Sequence, residues 1–338
     1  MNRIMRWSVV WIVVLGLMSS AQTTVQLMDQ TGTVVEIKQP VERFASVYGI
    51  GTYYAYALGV SEMLVKGWFI GAKNLAQASD SLYRLEPRLE RVLSSGDPNI
   101  EELVATGAQL IFADGSRHSA FAAQISELGV GVIQFLVETP EALKEAMLLA
   151  AVPFGADAMT RAGMFAADYD RVLDAIQSDL EDSAPVAAPR VLFLGTDALT
   201  VASGDMYQSW LIEAAGGLSV SSSLQGHWND VNLEQILVWN PEVIVIPPYG
   251  PVQPATILEN PDWQAISAIQ TGRVHRMPRI FAPMDTPVPE SMLGIVWLAE
   301  LLHPDVMGFD LEEEMSRFYA FYYGYELQED ELTQLMSK

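Results

Sequence analysis

The chain of 338 residues contains no cysteine. No disulfide can hold it together, and thiolate metal centres, thiol nucleophiles and redox dithiols are excluded. A lipid-anchoring cysteine behind an export signal is excluded too. Bases are scarce: 19 lysines and arginines face 42 acids, for a net charge of −23. Such a surface repels nucleic acid and anionic lipid and suits a basic partner. Missing as well are a Walker loop, Gly-x-Ser-x-Gly and His-Glu-x-x-His. Tyr48-Gly49-Ile50-Gly51-Thr52-Tyr53-Tyr54 follows a strand like half of a dinucleotide fingerprint, but Tyr54 stands where the third glycine belongs. A dehydrogenase is thereby disfavoured. A triad assembled in space would still permit a secreted hydrolase, which is the enzyme alternative. The reading carried forward is a non-enzyme without a cofactor of its own.

Hydrophobic residues make up 50% and charged residues only 18% of the chain, so a sizeable core, rather than disorder, is expected. The length allows two domains. Arg3 and Arg6 precede the uncharged apolar run Trp7 to Met18, and Ser19-Ser20-Ala21 follows. This is the layout of a secretory signal, with cleavage expected near Ala21; the run is shorter than the roughly 20 residues of a spanning helix. Residues 1–21 are therefore read as a signal and the mature protein as periplasmic.

Behind it, Val25–Met28 and Val34–Ile37 flank a turn at Asp29-Gln30-Thr31-Gly32 and predict a hairpin. From Arg43 onward, apolar strands alternate with helices, which predicts βα units and a mostly parallel sheet. Over Ala156 to Glu181, Met159, Ala162, Phe165, Tyr169, Val172, Ile176 and Leu180 recur at spacings of three and four. That is one amphipathic helix, about 40 Å long at 1.5 Å per residue. A proline-containing stretch ends it at Ser183 to Pro189, and the alternation starts afresh. The expected fold is α/β: two Rossmann-like lobes with mostly parallel central sheets, joined by one long α-helix. The lobes are assigned to residues 22–152 and 186–338, with the connecting helix in 153–185. Ile100-Glu101-Glu102-Leu103 before Leu110-Ile111-Phe112, and Leu233-Glu234-Gln235-Ile236 before Val243-Ile244-Val245, form a weak internal repeat.

Taken in order, these pieces resemble the substrate-binding proteins of ABC importers for iron–siderophore complexes, haem, cobalamin and related ligands, the class whose lobes share a single helix. The opening hairpin with Pro40-Val41-Glu42-Arg43-Phe44, Ala57-Leu58-Gly59-Val60, Asn99 through Phe112, Ala215-Gly216-Gly217, Trp228 through Ile246, Thr271-Gly272-Arg273-Val274 and Trp297 to Pro304 carry the likeness. Gly107-Ala108 departs from it, where the family usually has a proline and an acid. The resemblance implies a monomeric carrier that hands a small ligand to a membrane permease dimer. It also implies that Glu101 and Glu234, one on each lobe, pair with permease arginines. The bland alternative is that each glutamate only caps its own helix. A ligand-sensing partner of a membrane receptor would share the same fold.

Ligands of open α/β sheets bind beyond the carboxyl ends of the strands, and two facing lobes turn those ends into one cleft. The candidates are therefore Tyr48 and Tyr53, Trp68-Phe69, Ser116-Arg117-His118, Gly226-His227-Trp228, Pro248-Tyr249 and Arg279 to Phe281. Of these, Tyr48, Tyr53, Trp68, Arg117, His118, Trp228, Tyr249 and Arg279 are taken as ligand-binding. Aromatics supply apolar area and arginine clamps oxyanions. Ordinary packing is the competing explanation for Tyr48 and Tyr53. The four histidines lack zinc spacing; His118 or His227 could serve a haem as single axial ligand, while His275 and His303 read as structural. A ferric siderophore heads the ligand expectations, then haem or a corrinoid, with an oxyanion such as molybdate or tungstate as the alternative. One stiff connecting helix predicts only modest lobe closure.

Overall fold

A computed structural model describes residues 23–183 and 187–336. The signal segment assigned to residues 1–21 and part of the stop after the long helix lie outside them. Chain order is β1 (Thr24–Met28), β2 (Val34–Lys38), β3 (Phe44–Ser46), α1 (Gly49–Ala57), β4 (Leu64–Gly67), α2 (Asp80–Leu85), α3 (Leu89–Val92), α4 (Ile100–Ala105), β5 (Leu110–Asp114), α5 (Ser119–Ser126), β6 (Gly131–Phe135), α6 (Pro140–Ala151) and α7 (Ala156–Asp182). Then come β7 (Arg190–Phe193), β8 (Thr200–Ala202), α8 (Tyr207–Ala214), β9 (Leu218–Ser219), β10 (Trp228–Asp230), α9 (Leu233–Trp239), β11 (Val243–Ile246), α10 (Pro254–Leu258), α11 (Ser267–Gln270) and β12 (Val274–Arg276). The chain ends with α12 (Ser291–Leu302), α13 (Leu311–Phe318), a π-helical turn (Tyr319–Tyr323) and α14 (Glu329–Met336).

Each lobe is a four-stranded parallel sheet, ordered β4-β3-β5-β6 in the first and β12-β11-β7-β9 in the second. Alternate strand residues face opposite ways, and the burial follows that period. Phe44, Phe112, Ile133 and Phe135 join Val191, Phe193, Val243 and Val245 in one core that runs through both lobes and takes in Ala162, Phe165, Tyr169, Val172 and Ile176 of α7. Ala45, Ile111, Ala113 and Val132 face the other way into a separate N-lobe cluster. Leu192, Leu194, Ile244 and Ile246 do the same in the C-lobe. The expected long helix is thus 27 residues that share a core with both sheets, not a free rod.

Local chemistry explains the boundaries. Thr139 accepts a hydrogen bond from Ala142 N at 3.2 Å, with Pro140 opening α6. Gly107, the departure from the family pattern, sits just past α4 at φ +72°, a left-handed turn that a proline cannot make. The glycine pair of the broken fingerprint serves packing: a Cβ on Gly51 would lie 3.3 Å from the Phe112 Cβ, so its absence lets α1 settle on the sheet.

The C-terminal segment does more than extend the second lobe. After α13 runs beside α7, through ion pairs Arg317–Asp168 (2.8 Å) and Arg171–Glu314 (2.8 Å), the π-helical turn reaches the first lobe. Tyr323 meets Tyr56 of α1 at 5.9 Å between ring centres. Arg161 of α7 donates to the carbonyls of Ala57, Phe321 and Tyr322. Buried Glu331 of α14 accepts from Ser81 and from Arg84 of α2.

Candidate functional site

The strand ends of the two sheets face each other across a seam. On the N-lobe side, Tyr48 lies just beyond β3 and caps α1 with its backbone but offers no side-chain cap. Its ring is half-buried and stacks on Phe135, 6.5 Å between centres. Burial, then Asp114 and Glu138 nearby, push its hydroxyl far above the usual tyrosine range.

Asp114 ends β5 and organises the loop behind it. Its Oδ1 accepts from Ser116 N at 2.8 Å and Arg117 N at 3.2 Å, and the exposed Arg117 guanidinium lies 3.6 Å from Oδ2. His118 Nδ1 accepts from Asp114 N at 3.1 Å. Burial lowers the His118 pKa, so the ring is neutral near pH 7 and carries its proton on Nε2. That nitrogen donates, and so the ring does not suit the axial ligation raised from the sequence. Trp68 donates from Nε1 to Gly96 O at 2.8 Å and rests on the second N-lobe cluster.

Tyr53 is placed differently from the expectation. It is 0% exposed, its hydroxyl donates to Phe281 O at 3.3 Å, and its ring packs edge-on to Phe69. Phe69 and Phe281 are themselves buried. These three hold the lobes together beneath the cleft and do not line it. The period of α1 decides this: positions 51 to 57 are all buried, so the whole helix is a core element.

On the C-lobe side, Trp228 belongs to β10, which pairs with β8 in an antiparallel ribbon, rather than to a loop. It is 37% exposed and lies over Gly195 at the end of β7, where a Cβ would come within 3.2 Å of its ring. His227 beside it is exposed. Tyr249, beyond β11, donates to Asp285 Oδ2 at 2.7 Å. Arg279, beyond β12, reaches across the seam to Gly71 of the N-lobe, where a Cβ would stand 2.4 Å from Nη1. Gly71 has φ +87°, a left-handed conformation that favours glycine.

Around Arg279 lies a pocket of about 430 Å³, lined by Ser79 and Ser81 of the N-lobe, Pro248, Arg276 and Ile280 of the C-lobe, and Gln334 of the tail. Arg276 is occupied, donating to the carbonyls of Pro248, Gly250 and Val252. Arg279 makes no ion pair among the described residues. A larger hollow of about 710 Å³ lies between the hairpin, α5 and β6, away from the seam, and is lined mostly by threonine, valine and glycine.

Several seam residues carried no sequence signal. Glu138 follows β6, and its Oε2 accepts from Tyr207 N of α8 across the lobes at 3.3 Å. Burial lifts its carboxyl above the usual range. Asp285 and Gln208 form a buried pair behind Tyr249. Among the described residues no group of three or more histidine, aspartate or glutamate side chains could hold a metal ion. No described helix is long and apolar enough to cross a membrane. His303 is buried, with Nε2 3.1 Å from Gly216 O, a structural placement.

Residues 45–280, which carry both sheets and most of the seam, match the model of one family. The chain belongs to the periplasmic binding proteins. A periplasmic solute-binding protein of Veillonella parvula superposes with TM-score 0.80 at 25% identity, over 93% of this chain and 97% of that one. The molybdate-binding protein MolA of Haemophilus influenzae is 28% identical over 272 residues, 73% of this chain and 77% of its own. MolA bound to molybdate superposes with TM-score 0.77, at 23% identity, over 90% and 99%. CeuE of Helicobacter pylori, solved with a nickel–histidine complex, gives TM-score 0.73 at 20% identity, over 94% and 100%. As a periplasmic binding protein, the chain shows the two-lobed class with one connecting helix that its residues resemble.

Proposed function

We propose that this binding protein delivers a small tetrahedral oxyanion of the molybdate class to an ABC importer, from the periplasm, after removal of a signal near Ala21. The observation that carries the ligand class is the unpaired Arg279 guanidinium in the pocket between the lobes. Acids outnumber bases more than two to one in this chain, yet among the described residues no carboxylate pairs with Arg279. A guanidinium beside Gly71, with no acid paired to it, suits the oxygens of an anion. His118 Nε2–H and the N-terminus of α1, uncapped by any side chain, add donors along the same seam. The likeness to MolA supports the same choice. It moves the oxyanion ahead of the ferric siderophore favoured by sequence.

A metal chelate (ferric siderophore first, then haem or a corrinoid) is the second reading. It is favoured by the ring surfaces of Tyr48, Trp68 and the part-exposed Trp228, and by the nickel–histidine complex of CeuE. One experiment separates the two. Thermal unfolding is followed with molybdate, tungstate, sulfate, a ferric hydroxamate, haem and cobalamin, with absorption spectra alongside. Molybdate and tungstate are expected to raise the melting temperature, and Arg279→Ala to weaken them by about 30-fold, the value of a hydrogen-bonded charge. Stabilisation by a chelate alone would overturn the oxyanion reading.

For handover, Glu101 and Glu234 are the docking residues proposed here, one on each lobe. Both are exposed, and neither caps its helix. Asn99 and Asn232 do, accepting from Glu102 N at 3.0 Å and Gln235 N at 2.9 Å. The caps being asparagines, the two glutamates stand as exposed carboxylates in first helical turns, which supports a role toward a basic partner. Reversing both charges is expected to abolish transport in vesicles while ligand affinity stays within twofold.

A further inference from the structure

The C-terminal helix α14 has no part in the proposed function, yet it grips the pocket from both sides. Among the residues that line the pocket around Arg279, Ser81 comes from α2 of the first lobe, Arg279 from the segment after β12 of the second, and Gln334 from α14 itself. Glu331 accepts from the Ser81 hydroxyl and from Arg84 Nη2, the latter at 2.6 Å. One turn on, Gln334 Nε2 donates to the backbone carbonyl of Arg279 at 2.9 Å. Residues three apart lie side by side on a helix surface. One short stretch of α14 therefore holds a lining residue of each lobe.

The rest of the tail backs the same segment. Phe281, two residues beyond Arg279, packs edge-on against Tyr325, 4.9 Å between ring centres. The Tyr325 hydroxyl is fixed in turn, donating to Glu331 at 2.8 Å and accepting from Arg84 Nε at 2.9 Å. Leu335 of α14 is 0% exposed and belongs to the shared core. Residues 277–290 lie in no helix or strand, so these ties position the segment where a ladder of its own would otherwise do so. A long side chain meets a ligand with precision only when its own backbone is held. Arg279 is held at its carbonyl by the tail, while its guanidinium reaches the other lobe beside Gly71.

We infer that Gln334 is a positioning residue for Arg279, and that α14 is a strap, anchored on the first lobe by Glu331, that sets where the guanidinium stands in the pocket. The inference rests on the Arg279 pocket as the ligand site, and part of its test needs no ligand.

Gln334→Met keeps the length of the side chain and removes the donor. Glu331 and Leu335 stay in place, so the ligand-free melting temperature is expected within about 2 °C of wild type. Molybdate is titrated calorimetrically into the wild type, Gln334→Met, Arg279→Ala and the double variant. Gln334→Met is expected to weaken binding about fivefold, the value of one neutral hydrogen bond. In the Arg279→Ala background the same change is expected to have no effect. Unchanged affinity in the single variant overturns the inference. So does an equal loss in both backgrounds, which would mean that Gln334 acts without Arg279. The second measurement is the nitrogen-15 spectrum of the arginine side chains in ligand-free protein. The Arg279 Nε–H signal, identified by its loss in Arg279→Ala, is expected to shift in Gln334→Met and in Glu331→Ala, while that of Arg190 at the start of β7 stays. A signal indifferent to Gln334→Met overturns the positioning role, and one indifferent to Glu331→Ala overturns the strap. If molybdate does not bind the wild type while the signal responds to both, the oxyanion reading falls and the strap stands.

Discussion

At the residue scale, the interior holds buried acids that the sequence does not single out. Glu290 shows this best. It is 0% exposed at the start of α12, accepts from the Tyr323 hydroxyl, and receives Ala282 N at 3.4 Å. Burial pushes its carboxyl from an ordinary 4.5 up to about 7. The folded state therefore holds a proton that the unfolded chain has lost in that window. The stability contributed by neutral Glu290 is full below about pH 4.5 and declines as pH rises to about 7, then levels off. The loss amounts to about 3 kcal/mol. Urea unfolding at the two ends of the window measures it, and Glu290→Gln is expected to remove most of the slope. Burial is a tertiary property. Nothing around Glu290 in the sequence, Pro289-Glu290-Ser291, distinguishes it from a surface glutamate. Arg279 was legible by contrast, because its place after a strand was enough to aim it at the cleft. Tyr53 was misjudged because its helix, which looked like a cleft wall, is buried on every side.

At the element scale, the C-terminal segment is the main addition. Its first helix, α13, is marked locally, with Asp310 accepting from Glu313 N as the cap. What it packs against is not. Glu331 of α14 collects bonds from Ser81, Arg84, Tyr325 and Gln328 N, so the tail is bolted to the first lobe. Glu331→Ala strips the acceptor from all four. A loss of about 2–4 kcal/mol is expected in urea unfolding. Faster amide exchange should be confined at first to α14 and α2. Loss of exchange protection spread evenly over the molecule would show that the tail is no local brace.

For the whole molecule, the consequence is stiffness. The two sheets share one continuous core with α7, and the tail crosses back to α1 and α2 as a second tie. A hinge would have to break both. Lobe closure on ligand binding is therefore expected to be modest, with the radius of gyration by solution X-ray scattering changing by less than about 1 Å. A compaction of several ångströms would show that the shared core opens.

The sequence by itself determined the elements and their order. Apolar spacing of two and of three-to-four is written locally, and the caps Asn99, Thr139 and Asn232 stand beside the helices they start. Topology followed, because alternating strands and helices close only as parallel sheets. The strand-end rule then placed Tyr48, Arg117, His118, Tyr249 and Arg279 at one seam. Only the tertiary structure decided which of them face it and in what protonation state. Those properties depend on neighbours far away in the chain, such as Gly71 beneath Arg279, Asp285 behind Tyr249, and Glu138 against Tyr207, and no local pattern encodes such contacts.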